Sequence, residues 1–286
     1  MILDKERQQP RQGILYIVAT PLGNLEDITL RAIRILKEVS LIAAEDTRRT
    51  KKLLNAYGIG APLTSLYEHN ELKKSGTLVS RMMEGFDVAY VSDAGTPGIS
   101  DPGYLLVQRA LANGIVVVPV PGACAAIAAL SISGLPMDSF VFHGFLPGKS
   151  GKRQHFIKSL ENETKTMVFY ESPNRLMATL RDMESILGNR RIVVTRELTK
   201  IYEEILRGSV EEVIEVFGDR VIKGEITLII AGKEKMEMPC PEEDIRRLLA
   251  LYEGATLSKR ALIGKISLEL GVSRNLVYRE AMKAKG

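Results

Sequence analysis

The chain carries a turn-rich loop with the sequence SDAGTPGISDPG at residues 92–103, directly after the apolar run VAYV at residues 88–91. Proline fixes φ and glycine supplies left-handed angles, so three glycines and two prolines here predict a rigid, folded-over loop. A second loop, TPLGNLED at residues 20–27, follows the apolar run at residues 14–19 in the same manner. In open α/β sheets, ligands bind outside the carboxyl ends of the strands, and glycines there let backbone groups approach a ligand closely. The two loops therefore predict where a ligand lies.

Alternating strand and helix patterns extend outward from these loops. They predict a parallel or mostly parallel sheet with crossover helices in the first half of the chain. The predicted strands occupy residues 14–19, 40–44, 88–91 and 116–120, and the predicted helices residues 27–37, 47–57, 70–84 and 102–113. Asp27 is the expected N-cap of the first helix, and Gly114 is expected to end the fourth.

The second half of the chain combines strands and helices in an α+β arrangement. Strands are predicted at residues 139–145, 166–170, 191–195, 203–208 and 225–231. Pro239 and Pro241 then indicate a linker, because proline interrupts both helices and strands. We therefore expect a flexible arm at residues 1–12, an α/β domain at 13–122, a second α/β domain at 123–235 and a helical tail at 241–286.

The tail has the pattern of a helix-turn-helix. Gly271 would stand at the turn, and Ser273 would cap the second helix. Two packed helices without a nucleic-acid role fit the same pattern, so the sequence alone leaves both interpretations open.

Composition predicts a soluble, cytoplasmic protein without a metal centre. The 286 residues are 45% hydrophobic and 26% charged, and no apolar run approaches the roughly 18 residues of a membrane span. Residues 1–12 lack the apolar stretch of a secretory signal. The two cysteines lie far apart and the three histidines form no ligand cluster, so a metal-free mechanism is expected.

The excess of basic residues is small, with 39 lysines and arginines against 35 acidic residues, but the basic residues occur in clusters. Clusters occur at residues 48–52, at 149–158 and in the tail. A single cluster is usually a solvated helix face. Three of them, beside the ligand-type loops and in the tail, favour an anionic partner.

Two nucleotide-binding patterns are incomplete. The loop at residues 20–27 has one glycine where the dinucleotide motif G-x-G-x-x-G requires three. GFLPGKS at residues 144–150 is one residue short of G-x-x-x-x-G-K-[ST], and loop length decides whether N–H groups converge on a phosphate. A nucleotide triphosphatase is therefore a minor alternative.

Acidic and polar side chains follow several predicted strands. The segments EDTRRT at 45–50, ESPNR at 171–175 and RELTK at 196–200 stand where catalytic residues usually lie in such sheets. Helix capping explains the same residues without catalysis, and the two roles can coexist.

These motifs together resemble those of the tetrapyrrole methylase superfamily of S-adenosylmethionine-dependent enzymes. The superfamily marks are YIVATPLGN at residues 16–24, SDAGTPG at 92–98, PVPG at 119–122 and GEITLII at 224–230. A more specific set resembles the subfamily that methylates ribose 2′-oxygens of small-subunit ribosomal RNA. It comprises AEDTR at residues 44–48, HN at 69–70, GFLP at 144–147, FYESP at 169–173 and REL at 196–198.

The resemblance implies two α/β domains, with S-adenosylmethionine in the cleft that the second domain completes, commonly in a homodimer. By motif position, the residues that would line the cofactor are Leu22, Asp93, Thr96, Ile99, Ser100, Ala123, Cys124, Tyr170 and Thr227. A ribose hydroxyl is a poor nucleophile, so a nearby base or hydrogen-bond acceptor should assist it. The catalytic candidates are Glu45, Asp46, Glu197 and Lys200. The sequence does not choose among them, and a mechanism dominated by positioning stays open.

The implied substrate is a cytidine of small-subunit (16S) ribosomal RNA, expected in an assembled 30S particle. The residues expected to contact the RNA are Arg48, Arg49, Lys149, Lys152, Arg153, Arg175, Lys265, Arg274 and Arg279. Methylation of a tetrapyrrole is the second interpretation, and a nonenzymatic RNA-binding adaptor or a P-loop-like nucleotide-binding protein is a minor one. The basic tail favours RNA, because RNA carries phosphates along its length and a tetrapyrrole has no evident need of a helix-turn-helix.

Overall fold

The structure is a computed structural model that describes residues 11–234, 241–252 and 258–283. Residues 1–233 belong to one compact unit and residues 234–286 to another. Most of the predicted arm and most of the predicted linker, at residues 1–10 and 235–240, lie outside the described residues.

The first sheet has five parallel strands in the order β3-β2-β4-β1-β5. The strands are β1 Ile14–Val18, β2 Leu41–Ala44, β3 Leu63–Ser65, β4 Val88–Val91 and β5 Val116–Val120, and the helices are α1 Leu30–Glu38, α2 Thr47–Ala56, α3 Glu71–Met83 and α4 Tyr104–Ala112. Every residue of β2 and β4 is buried. Helices on both faces of a parallel sheet produce such burial, so the predicted architecture is confirmed.

The structure differs from the sequence-based expectations at two places in this sheet: one strand was missed and one helix cap was wrong. Strand β3 was not predicted, because it has only three residues and follows Pro62. Asp27 was predicted as the N-cap of the first helix, but it ends a short 3₁₀ turn at Leu25–Asp27. Thr29 is the cap instead, and its Oγ1 accepts a hydrogen bond from Ala32 N at 3.0 Å.

The second sheet is mixed, with the order β6-β7-β10-β8-β9. Its strands are β6 Phe140–Phe145, β7 Thr166–Glu171, β8 Arg191–Arg196, β9 Glu204–Ser209 and β10 Ile226–Ile230, and its helices are α5 Ala125–Ser131, α6 Ser150–Ser159, α7 Leu176–Leu187 and α8 Val210–Phe217. The central strand β10 runs antiparallel to both β7 and β8. The small residues Ala126 and Ala129 of α5 pack against Val168 and Val193 on one face of this sheet.

The tail unit consists of α9 Pro241–Leu251, α10 Lys259–Leu270 and α11 Arg274–Lys283. Its own small core is built on Ile245, Ile266 and Val277. Helix α10 ends at Gly271, and Ser273 Oγ accepts a hydrogen bond from Leu276 N at 3.3 Å. The predicted helix-turn-helix arrangement is thus present.

Within the described ranges, no helix has the length and apolar character needed to cross a membrane.

Candidate active site

A cavity of about 400 Å³ lies between the loops that follow β1 and β4 and the adjoining ends of β7, β8 and β10. Its walls from the first sheet are Leu22, Glu45, Asp93, Ala94, Gly95, Thr96, Ile99, Ser100 and Asp101. Its walls from the rest of the unit are Cys124, Ala125, Phe145, Tyr170, Glu171, Ser172, Pro173, Thr195, Leu198, Gly224, Glu225, Ile226 and Thr227. The volume is within the range of small-molecule binding sites.

The two glycine-bearing loops are joined to each other and to the chain beyond β5. Thr20 and Gly95 exchange backbone hydrogen bonds, with N···O distances of 2.8 and 3.0 Å. Thr96 Oγ1 donates to the carbonyl oxygen of Ala123 at 3.0 Å. These hydrogen bonds hold the loops around the cavity in one arrangement.

The far end of the 92–103 loop is held by a strand residue. Tyr90 donates its hydroxyl hydrogen to the carbonyl oxygen of Pro102 at 2.9 Å, and a Cβ on Gly103 would lie 2.5 Å from the Tyr90 ring. Gly103 also has a φ of 122°, which only glycine adopts readily. Ser100 has a φ of 66°, an uncommon value for a residue with a side chain, and lines the cavity.

Helix α4 is capped by a side chain from another helix, because its own N-cap residue is Gly103. Glu71 of α3 is buried, and its Oε1 accepts hydrogen bonds from the backbone nitrogens of Gly103, Leu105 and Leu106 at 2.9, 3.0 and 3.3 Å. A carboxylate at a helix N-terminus also interacts favourably with the helix dipole. Glu71 thereby fixes the end of the loop that carries Asp101.

Glu71→Ala is expected to lower the free energy of unfolding by about 1–2 kcal/mol, the usual cost of losing a helix cap. Glu71→Gln keeps an acceptor oxygen and should lose less. Amide hydrogen exchange at residues 103–106 should speed up in Glu71→Ala and stay close to native in Glu71→Gln. Glu68→Ala, at an exposed neighbour, is the control, and equal effects of the Glu68 and Glu71 changes would contradict the capping role.

Carboxylates dominate the charge of the cavity. Asp93 accepts a hydrogen bond at Oδ1 from Asp46 N at 2.9 Å, and its Oδ2 lies 3.3 Å from Arg49 Nη1. Glu45 Oε2 in turn accepts from Asp93 N at 3.3 Å. Asp93 is therefore both a wall of the cavity and a link between the loops after β4 and β2.

Burial shifts the pKa values of two of these carboxylates upward. Burial and then the charge of nearby Glu45 raise the pKa of Asp101 to about 6. Burial also raises the pKa of Glu45, against a hydrogen bond from the Asp93 backbone. Perturbed carboxyls that line a cavity are candidates for proton transfer near neutral pH.

Residues 14–214 match the family model of tetrapyrrole (corrin/porphyrin) methylases. The chain belongs to the tetrapyrrole methylase family. It is 52% identical to a ribosomal RNA small subunit methyltransferase I from Halalkalibacterium halodurans, over 83% of this chain and 81% of that protein. It is 46% identical to the protein of the same name from Escherichia coli O157:H7, over 96% of both chains, and 50% identical to the one from Thermotoga maritima, over 78% of this chain and all of that protein.

Solved structures show the same fold at lower identity. A cobalt precorrin-4 methyltransferase superposes with a TM-score of 0.56 at 18% identity, over 76% of this chain and 94% of that one. A uroporphyrin-III-C-methyltransferase from Thermus thermophilus superposes with a TM-score of 0.55 at 20% identity and the same coverage.

Eight of the nine residues expected at the cofactor line the cavity of this family member. They are Leu22, Asp93, Thr96, Ile99, Ser100, Cys124, Tyr170 and Thr227. Ala123, the ninth, stands beside the cavity and accepts the Thr96 hydrogen bond. Tyr170 also accepts a hydrogen bond at its hydroxyl oxygen from Ala126 N at 3.2 Å, which ties β7 to the start of α5.

The four catalytic candidates separate into two places. Glu45 lines the cavity, whereas Asp46 caps α2 and pairs with Arg48 at 2.7 Å, a contact that lowers the pKa of Asp46. Glu197 and Lys200 do not line the cavity and form an ion pair of 2.8 Å. Burial by itself would raise the pKa of Glu197, but the hydrogen bond from Lys200 helps to lower that pKa below its ordinary value.

Sequence reasoning did not assign several residues that line the cavity. Asp101 belongs to the loop at residues 92–103, Leu198 to the REL motif at 196–198 and Glu225 to the GEITLII motif at 224–230. No signal in the sequence indicates that these three residues line the same cavity. Phe145 belongs to the GFLP motif at residues 144–147. Close approach explains that motif in part, because a Cβ on Gly144 would lie 2.9 Å from Ser100 Oγ.

Two of the predicted RNA-contact residues are occupied inside the fold. Arg153 is only 5% exposed, and its Nε lies 2.6 Å from Asp182 Oδ2, so we remove it from the expected RNA surface. Arg175 pairs with the buried Glu171 at 2.6 Å and donates to the carbonyl oxygen of Leu146 at 3.3 Å. Arg175 is therefore held against the 144–150 loop by Glu171 and by the Leu146 carbonyl oxygen.

The remaining predicted RNA contacts are on the surface. Lys149, Lys152, Arg274 and Arg279 are exposed. In the tail, Lys265 Nζ lies 4.2 Å from the centre of the Tyr252 ring. The described residues contain no group of three or more histidines, cysteines, aspartates or glutamates that could hold a metal ion.

Proposed function

We propose that this protein transfers the methyl group of S-adenosylmethionine to the ribose 2′-oxygen of a cytidine in small-subunit ribosomal RNA. The observation that carries the proposal is the match at 46% identity, over 96% of both chains, to a protein named ribosomal RNA small subunit methyltransferase I. The carboxylate-lined cavity supplies a matching site.

The cavity suits the cofactor in size and in chemistry. Apolar walls at Leu22, Ile99 and Leu198 suit a flat aromatic base. The carboxylates of Asp93 and Glu225 suit the positive charges of the cofactor, since opposite charges attract strongly where water is scarce. When bound, S-adenosylmethionine supplies a methyl group on a positively charged sulfur.

The residues of the chain have to orient the ribose and receive its proton. An attacking hydroxyl gives up its hydrogen as its oxygen bonds to carbon, so an acceptor near the cavity raises the rate. Asp101 joins Glu45 as a candidate for that role, because both line the cavity and burial raises the pKa of each. In this scheme the proton passes to a carboxylate oxygen and from there to water.

A tetrapyrrole substrate is the weaker alternative. The relatives whose names mention tetrapyrroles are 18–20% identical to this chain, and that likeness concerns the fold alone. The relatives named for ribosomal RNA are 44–52% identical.

We further propose that the enzyme acts in the cytoplasm as a homodimer on an assembled 30S particle. Lys265, Arg274 and Arg279 of the tail would contribute phosphate contacts rather than chemistry, because all the lining residues of the cavity belong to the first unit. The Thermotoga maritima relative supports this division, since its entire length corresponds to 222 residues of this chain.

The test is methyl transfer to 30S particles from cells that lack this protein, with radiolabelled S-adenosylmethionine. We expect label at one cytidine, with an alkali-resistant linkage on its 3′ side because the 2′-oxygen is blocked. Label on a base, or on a tetrapyrrole in place of RNA, would contradict the proposal.

A further inference from the structure

A second hollow lies next to the cavity, in a groove between α2 and the edge strand β3. Its volume is about 650 Å³. The side chains that matter to its chemistry are Arg48, Lys51, Asn55, Thr64 and Ser65. Among the strands of the described residues, β3 pairs only with β2 and forms the edge of the sheet.

The groove and the cavity are neighbours along the chain. Glu45 lines the cavity, Thr47 and Arg48 line the groove, and only Asp46 separates them. The end of β3 at Ser65 and the start of α2 at Thr47 both lie at the carboxyl edge of the first sheet. A chain molecule that places one unit at the cavity can therefore continue into the groove.

The two hollows differ in the charges of their lining residues. Five carboxylates line the cavity, three of them paired with Arg49, Arg175 and Lys200. The groove has Arg48 and Lys51 and no carboxylate among its lining residues. Lys74 adds a third positive charge nearby, because its Nζ donates to Thr64 Oγ1 at 2.8 Å. The groove therefore attracts a phosphate more strongly than the cavity does.

Lys51 is exposed, and no residue in the described part of the chain forms a hydrogen bond or ion pair with its side chain. The Arg48 side chain is 88% exposed, and its ion-pair partner is Asp46, which caps the same helix. Hydroxyl and amide groups at Thr64, Ser65 and Asn55 can donate to phosphate and ribose oxygens. The groove thus offers charge and hydrogen-bond donors to a sugar–phosphate chain.

We infer that this groove binds the sugar–phosphate backbone of the nucleotides that flank the methylated one. The inference rests on the proposed function and extends it, since it assigns the path of the RNA strand beside the cavity. The Thermotoga maritima relative is about as long as the first unit alone and is also named a ribosomal RNA methyltransferase. An RNA-binding groove within the first unit is consistent with that length. The first unit then carries an RNA contact of its own.

The experiment compares Lys51→Ala with Lys52→Ala in the full chain. Both are exposed lysines of α2, but only Lys51 lines the groove. Binding to polycytidylate is measured at several salt concentrations, and S-adenosylmethionine affinity is measured by calorimetry. Losing one phosphate contact should weaken RNA binding by about three- to tenfold near 0.1 M salt and reduce the slope of log K against log salt by about 0.7.

Lys52→Ala should leave the slope within error of native, and cofactor affinity should stay native in both variants. Equal effects of the two substitutions, or a native slope for Lys51→Ala, would overturn the groove assignment. Methyl transfer by the unaltered chain is assayed in parallel on 30S particles. If the unaltered chain does not methylate the particles but Lys51→Ala still changes the salt slope of RNA binding, the proposed function is contradicted and the RNA-binding role of the groove is supported.

Discussion

Asp101→Asn is expected to slow methyl transfer by roughly 10²- to 10⁴-fold, the range that a positioned acid or base contributes. Asparagine has nearly the same size and keeps an oxygen acceptor, but it does not take up a proton at neutral pH. Cofactor affinity, measured by calorimetry, should change much less than the rate. Glu45→Gln is the comparison, because Glu45 is the other candidate acceptor in the same cavity. A larger loss of rate in Glu45→Gln than in Asp101→Asn would assign the proton to Glu45.

The pH dependence of the native enzyme gives a second readout. Asp101 accepts a proton only when ionised, so kcat/KM should rise with pH through the pKa of about 6 and level off above it. The carboxylates that face Asp101 are Glu45, Asp93 and Glu225, and each raises its pKa further. Loss of this inflection in Asp101→Asn is expected, and its persistence would assign the proton to another group.

Asp101→Asn should also make the protein more stable at neutral pH. The pKa of Asp101 in the folded state is above its ordinary value of 3.8, so the native protein loses stability as pH rises from about 4 to 6. The amide that replaces this carboxyl does not ionise, and the gain in melting temperature should therefore appear above pH 6 and vanish below pH 4. Lower activity with higher stability would separate a chemical role from a structural one.

Asp93→Ala is expected to weaken S-adenosylmethionine binding by roughly 10- to 100-fold, because hydrogen bonds to charged groups contribute about 1.5–3 kcal/mol. The substitution removes a wall carboxylate and the acceptor for Asp46 N. Glu197→Ala should have a smaller effect, since that carboxylate lies outside the cavity. Calorimetry of both variants makes the comparison.

Asp93→Asn separates the two roles of this residue. The amide oxygen can still accept from Asp46 N, but the negative charge beside Arg49 is lost. Affinity near native would assign the effect to loop anchoring, and affinity near that of Asp93→Ala would assign it to charge. Equal losses for the Asp93 and Glu197 alanine variants would contradict the cofactor role of Asp93.

The two glycine-bearing loops could be predicted because their signals are local. Proline and glycine restrict or widen φ within a few residues, and Gly95, Gly98 and Gly103 do adopt positive φ. Strand β3 was missed for the opposite reason, since its three residues are too few for a pattern. Local chemistry thus predicted the loops that frame the site, and the family resemblance supplied eight residues of the cavity wall.

The remaining features depend on contacts between distant parts of the chain. Glu71 caps a helix that starts more than 30 positions later, and Arg153 pairs with Asp182, 29 positions away. No short motif encodes either contact. The shifted pKa of Asp101 likewise arises from burial and from Glu45, which reaches it only through the folded sheet.

The loops of the two sheets also contact each other directly, which opposes their separation. Asn24 N donates to Thr199 Oγ1 at 3.3 Å, and a Cβ on Gly23 would collide with the Lys200 side chain. Lys200 itself is held by Glu197 and Glu225. A hinge that parted the sheets at this edge would have to break the Asn24–Thr199 hydrogen bond and move the Lys200 side chain away from Gly23. Opening at this edge therefore has a cost that a ligand entering from elsewhere does not meet.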